Sequence, residues 1–204
     1  LEPYARRFWP DFLISWSRLL KGRLHDPVVG RDLQIGCFAG VLLVLFTSWP
    51  STILHRIDAN KFTTGRIAVA EVLESHQSSL TFSFFLLAFL LILRVVLRNT
   101  WLAGIVFTIA YVLFAIRRDS IWELYLSNAV WASLLVCLYV RYGLVSVVAG
   151  WFTVLVLLRF PFTADFSAWY AHGGMLALAS VLLVTGYGFY ISTLAGRRVP
   201  TPEL

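Results

Sequence analysis

The residues that could carry chemistry are few, and two of them lie within a long apolar run. Glu123 and Asn128 fall in residues 121–140, and a charged or amide side chain inside a membrane is a functional candidate by default. Glu123 stands near the start of the run, so it could instead reach the interface or pair with Arg117 or Arg118, and we favour this interpretation. Asn128 lies deeper, where a single amide is typical of a hydrogen bond between packed helices.

A second set of candidate side chains lies in the aromatic segment 159–172. The set combines a cation, a carboxylate, two rings and an imidazole: Arg159, Asp165, Trp169, Tyr170 and His172. Such a set could bind a small ligand, or it could sense acidity through the imidazole. The alternative, which we favour, is an interfacial belt of aromatic residues in which Asp165 or Ser167 caps the turn before the next helix.

Motifs of metalloenzymes, hydrolases and nucleotide-binding enzymes do not occur in the sequence. The histidines fall at the ends of apolar runs or between them: His25, His55, His76 and His172. None belongs to an HExxH motif, and neither GxSxG nor a P-loop is present. Glu71 and Glu74 are expected on the exposed face of a short surface helix over 67–75. Cys37 and Cys137 lie in apolar runs and should behave as small hydrophobes, so we expect no catalytic residue, cofactor or metal ion in this chain.

The composition is typical of a membrane protein. Apolar residues make up 59 % of the chain and charged residues 14 %, with a mean hydropathy of +0.77. Soluble domains usually carry about 25 % charged residues. The net charge of +6 does not indicate nucleic-acid binding, because the cations flank apolar runs, as the positive-inside rule expects, and no nucleic-acid-binding motif accompanies them.

The apolar runs predict an all-α, polytopic membrane protein with about six transmembrane helices. The predicted spans are residues 33–54, 79–97, 101–116, 121–140, 143–160 and 173–194. The chain is therefore predicted to consist of a cytoplasmic juxtamembrane segment over 1–32, a transmembrane domain over 33–194 and a cytoplasmic tail over 195–204. Six spans place both termini on one side, and most of the 17 lysines and arginines fall on that side, which predicts cytoplasmic termini.

The segment before the first span is predicted to form an amphipathic helix on the membrane surface. Rings and leucines recur there at three- and four-residue spacing, and cations lie between them. Such a helix places its rings at the headgroups and its cations toward anionic lipid. The expected membrane contacts are Arg6, Arg7, Trp9, Trp16, Arg18, Lys21 and Arg23. We expect His25-Asp26-Pro27 and Gly30 to break this helix before the first span.

Four stretches of the sequence resemble one bacterial family. They are LEPYARRFWPDFLISWSRLLKGRLHDPVVGRD, FLLAFLLILRVVLRNTWLAGIVF, FTADFSAWYAHGGMLAL and YGFYISTLAG. They are similar to the C-terminal membrane region of eukaryotic-like serine/threonine protein kinases, whose catalytic domain lies upstream in the same polypeptide. The resemblance implies a location in the bacterial inner membrane and an upstream kinase domain as partner in cis. It also implies that ATP and Mg bind only to that upstream domain.

The chain itself has no Gly-rich loop, VAIK lysine, HRD or DFG motif. It begins with Leu, so we expect a fragment of a longer polypeptide. The expected function is to anchor a kinase and to sense a signal through the outer segments 55–76 and 159–172, with the lipid bilayer as partner and a homodimer left open. The alternative is a small transporter or channel subunit, which would need polar residues converging at mid-membrane, where mainly Asn128 lies.

Overall fold

A computed structural model describes residues 14–47, 64–115, 122–163 and 165–195. Of these residues 87 % are helical, and none of them lies in a strand. The described helices are α1 (Ile14–Leu20), α2 (Pro27–Thr47), α3 (Gly65–Leu97), α4 (Thr100–Ala115), α5 (Trp122–Tyr142), α6 (Leu144–Arg159) and α7 (Ala171–Phe189), which continues as a π-helix over Tyr190–Ala195. The predicted all-α class is confirmed.

Three of the described helices are long and apolar enough to cross a membrane. They are α2, α3 and α7 with its continuation. Helix α3 has 33 residues and is therefore about 50 Å long, against about 30 Å for the hydrocarbon core of a bilayer. Helices α4 and α6 are apolar but shorter, since 16 residues extend about 24 Å. Large apolar side chains such as Phe85 and Phe114 are 68 % and 92 % exposed, which is the surface that a lipid environment requires.

Helix α3 is continuous, although the sequence predicts a surface helix over 67–75 followed by a separate span over 79–97. The junction contains neither Gly nor Pro, so nothing interrupts the ladder of backbone hydrogen bonds. The hydroxyl groups of Ser79 and Thr81 donate to the carbonyls of His76 and Gln77, both at 3.0 Å, and are satisfied within the helix. The prediction of a separate surface helix is therefore wrong, and His76 lies well inside a long helix instead of at a span end.

Helix α2 begins at Pro27, earlier than the predicted start of the first span at residue 33. The expected break at His25-Asp26-Pro27 is confirmed, because Asp26 Oδ1 accepts the Val28 N–H at 3.0 Å and caps the helix. The expected break at Gly30 is wrong. Gly30 lies within α2 and faces Gly188, where a Cβ would come within 2.7 Å of the Gly188 carbonyl oxygen, so its small size serves close packing.

Helices α2 and α6 approach each other through glycines. Gly36 meets the backbone of Ser146, and a Cβ at Gly40 would lie 2.5 Å from the carbonyl oxygen of Gly150. The contacts advance in the same direction along both helices, so the two helices run parallel. A tight turn at Gly143, with φ of 87°, joins α5 to α6. Larger side chains from α3, α4 and α5 fill the main apolar cluster, including Leu90, Phe107, Leu135 and Tyr139.

Candidate functional site

A buried carboxylate joins α1 to the beginning of α2. Ser15 on α1 donates its hydroxyl to Asp32 on α2, and the two residues are 2 % and 1 % exposed. Arg31 donates to the same carboxylate through Nε at 3.1 Å and Nη2 at 2.9 Å. The guanidinium also lies 6.0 Å from the centre of the Tyr142 ring at the end of α5. Because a buried charge must be hydrogen-bonded, Asp32 holds α1 on α2, while Arg31 brings α2 to the end of α5.

A second ion pair closes the turn between α1 and α2. Arg18 donates to both carboxylate oxygens of Asp26, at 2.9 and 2.8 Å. The same Asp26 caps α2, so one residue both starts that helix and binds the end of α1. The sequence predicts Arg18 as a lipid contact and assigns Asp26 to the helix break. The structure adds that the two side chains bind each other.

The predicted membrane-surface residues have different environments in the structure. Trp16 is half-buried, with its ring edge-on to Phe84 of α3 at 5.3 Å between centroids. Lys21 and Arg23 are exposed in the turn after α1. The other three predicted contacts, Arg6, Arg7 and Trp9, lie outside the described residues. Contact of this segment with lipid stays a prediction.

The end of α7 reaches the same junction. The Tyr187 hydroxyl donates to the carbonyl of Leu24 at 3.1 Å, in the turn between α1 and α2. In the π-helix, the Ser192 hydroxyl donates to Oε1 of Gln34 at 2.9 Å. The end of the described chain therefore packs on the α1–α2 turn and on α2 at one end of the bundle, which we call the N-terminal junction.

At the C-terminal end of α6, Arg159 binds carboxylates of α3. Its Nη1 lies 3.3 Å from Glu74 Oε1 and 3.9 Å from Glu71 Oε2, and it donates to the Ser75 hydroxyl at 3.5 Å. Glu74 is exposed, as expected from the sequence, whereas the Glu71 residue is only 8 % exposed. The expectation of an exposed face for both carboxylates is therefore wrong for Glu71, because the packing of α3 on α6 covers it and supplies a cation.

The remaining members of the predicted outer cluster occupy the turn before α7. Asp165 Oδ1 accepts the hydroxyl of Ser167 at 2.6 Å and its backbone N–H at 2.9 Å, and these bonds lower the pKa of Asp165. The rings of Trp169 and Tyr170 meet edge to face at 5.5 Å. Nε2 of His172 is buried and has no hydrogen-bond partner among the described residues.

The structure thus divides this predicted set. Arg159 binds α3, Asp165 stabilises its own turn, and the two rings contact each other. Tyr170 occupies the cap position of α7 without a side-chain cap, so Asp165 organises the preceding turn and not the helix start itself. Ligand binding or acidity sensing by this set stays a prediction.

The two candidates from the apolar run 121–140 lie on α5. Glu123 is its second residue, and the Glu123 side chain, Arg117 and Arg118 lie outside the described part of the chain. Asn128 is half-buried, and its hydrogen bond to a neighbouring helix stays a prediction. Within the described ranges, no three His, Cys, Asp or Glu side chains are grouped to hold a metal ion.

Sequence reasoning did not identify Ser15 and Asp32 as partners. The sequence does indicate that Asp32 needs a partner, because a carboxylate at the start of an apolar run requires a hydrogen-bond donor once the run is buried. The spacing Gly36-x-x-x-Gly40 was a second signal, since it is the pattern of close helix packing in membranes.

Comparisons with known proteins identify no relative of this chain. A scan against protein-family models, a search of the curated proteins and a search of the solved structures each found no match for this chain.

Proposed function

We propose that this chain is the membrane-embedded region of a bacterial serine/threonine protein kinase, which anchors an upstream catalytic domain and transmits a signal to it. The four stretches of sequence described above support this proposal. Three helices of spanning length support the membrane location. The catalytic chemistry, with its ATP and Mg, belongs to the upstream domain, and this region carries no catalytic residue.

The observation that carries the proposal is the bond between Ser15 and Asp32. A domain joined to the N-terminal side of α1 would be coupled to α2 through this buried contact. A shift of α2 relative to the rest of the bundle would therefore change how α1 is held. A signal of this kind needs only two arrangements of the helices that differ in how α1 is held.

For the topology, we favour six spans in the bacterial inner membrane with both termini cytoplasmic. Helices α2 to α7 overlap the six predicted apolar runs, which supports this proposal, and the excess of Lys and Arg on the N-terminal side supports the orientation. Helices α4 and α6 are shorter than an average bilayer core, so the bilayer must thin locally or the flanking residues must complete the span.

Sequencing the coding DNA upstream of Leu1 tests the kinase assignment. An in-frame Gly-rich loop, an invariant lysine, HRD and DFG are the expected result. A stop codon followed by a start site immediately upstream would overturn the assignment and leave a free-standing membrane protein.

Cysteine labelling tests the orientation separately. In a background without Cys37 and Cys137, Arg23→Cys at the N-terminal junction should react with a membrane-impermeant maleimide only from the cytoplasmic side. Phe166→Cys, in the exposed turn before α7, should react only from the outside. Reaction of both variants from the same side would refute the six-span topology.

A further inference from the structure

A cavity of about 470 Å³ lies beneath α1, against α2, α3, α6 and α7. Trp16 of α1, Leu33 of α2, Leu80 of α3 and Val148 of α6 contribute to its walls. An apolar cavity of about 150 Å³ is sufficient to bind benzene. The space here is about three times larger and falls in the size range of small-molecule sites, so it can hold a ring together with part of a chain.

The walls of this cavity are suited to an uncharged molecule. Among the described residues that line it there is no Lys, Arg, Asp or Glu, so the cavity provides no counter-ion for a phospholipid headgroup. Four of the lining side chains are rings: Trp16, His76, Phe152 and Tyr187. Flat faces and edges of this kind pack well against another flat ring.

His76 supplies the hydrogen-bonding group at this site. Its imidazole lies edge-on to the ring of Phe152, at 5.7 Å between centroids, near the middle of α6. No side-chain hydrogen bond joins it to another described residue, whereas the Tyr187 hydroxyl already donates to Leu24. His76 is an exposed residue of α3, so its imidazole N–H is accessible and can donate to a ligand carbonyl.

The cavity also opens beside α7. Leu183 lines it and is 73 % exposed, so one wall lies on the outer surface of the bundle. Since α7 is one of the helices long and apolar enough to cross a membrane, this surface is where a molecule dissolved in the bilayer would enter.

We propose that this cavity binds a neutral lipid of the quinone class, drawn from the bilayer. The quinone ring lies among the aromatic walls, one carbonyl oxygen accepts a hydrogen bond from His76, and the apolar tail leaves beside Leu183. An acyl chain alone would fit the apolar walls but would make no use of His76.

Helix α1 forms one wall of this site, through Trp16 and Leu19. Occupancy therefore favours the arrangement in which α1 is docked on the bundle, and loss of the ligand weakens it. This regulatory consequence rests on the proposed kinase function. The binding itself does not, and it is measurable on this chain alone, so failure of one leaves the other standing.

The test uses the chain in nanodiscs of phosphatidylcholine and a short-chain azidoquinone as photolabel. Labelled peptides, identified by mass spectrometry, are expected to contain Trp16, His76 or Phe152, and excess decylubiquinone should remove the label in a saturable manner. Leu183→Trp, which fills the open side of the cavity without altering a buried position, should abolish this labelling.

His76→Phe keeps a ring but removes the donor, so the Kd for decylubiquinone should rise about fivefold, equivalent to one hydrogen bond of about 1 kcal/mol. His25→Phe, at an exposed turn position outside the cavity, is the matched control and should leave the Kd unchanged. Label spread over all helices without competition would overturn the proposal. Competition that responds to Leu183→Trp but not to His76→Phe would also overturn it, because the occupant would then be recognised as a chain only.

Discussion

Replacing Asp32 with alanine should release α1 from the helical bundle. The Asp32 carboxylate is 1 % exposed, and the Ser15 hydroxyl that donates to it is 2 % exposed. A buried hydrogen bond to a charged group contributes about 1.5–3 kcal/mol. The Arg31 guanidinium is 56 % exposed, and its pairing with Asp32 adds little. A loss of about 2 kcal/mol lowers the docking equilibrium of α1 about 30-fold.

Amide hydrogen exchange measures this release directly. The 7 residues that the structure describes in α1 are too few to persist as a helix without their contacts, so their amides should exchange about 30-fold faster in Asp32→Ala. Ser15→Ala should produce a similar effect, and the double variant should add little to either single change. Asp165→Ala removes a carboxylate that, among the described residues, binds Ser167 of its own exposed turn, and it should leave α1 unaffected. Unchanged exchange in Asp32→Ala, with the helix content preserved, would refute the role of this bond.

Three further predictions concern helix packing, capping and the outer turn. Gly36→Ala should destabilise the protein by about 1–3 kcal/mol in thermal unfolding, because the added methyl group meets facing backbone, whereas Gly186→Ala, which meets open space, should be neutral or slightly stabilising. Asp26→Ala should cost about 1 kcal/mol through loss of the α2 cap, while Asp26→Asn keeps the cap and should restore most of the amide protection at the start of α2. Ser167→Ala should raise the pKa of Asp165 toward its ordinary value in a carboxyl-carbon NMR titration. In the unmodified chain the turn should be retained above the ordinary pKa and lost only as the pH falls through the lowered pKa of Asp165.

The helices could be predicted because their signals are local. Apolar runs separated by short polar turns mark α4, α5 and α6, and the structure places their ends within a few residues of the predicted ones. The break at His25-Asp26-Pro27 was predicted as well, whereas the cap that Asp26 provides for α2 follows from the structure. The prediction is wrong where a polar composition suggests a break in the helix. Residues 75–79 are polar but contain no residue that stops a helix, so α3 continues through them.

Helix contacts were harder to predict, because each depends on residues far apart in the chain. The spacing of Glu71 and Glu74 predicts that both carboxylates face solvent. In the structure, the packing of α6 on α3 buries Glu71 and places Arg159 beside it. Likewise Trp16 carries the pattern of an interfacial ring, and its packing on Phe84 follows only from how α1 folds back on α3.

Sequence alone determined that the chain is helical and that several helices have the length and apolarity of membrane spans, because hydrogen bonds within a helix and hydropathy are properties of contiguous residues. The tertiary structure decided which side chains share an environment. It placed Ser15 on Asp32 and brought Trp16, His76 and Phe152 around one cavity. These contacts join separate helices, and only the packing of the helices against one another sets the distances between them.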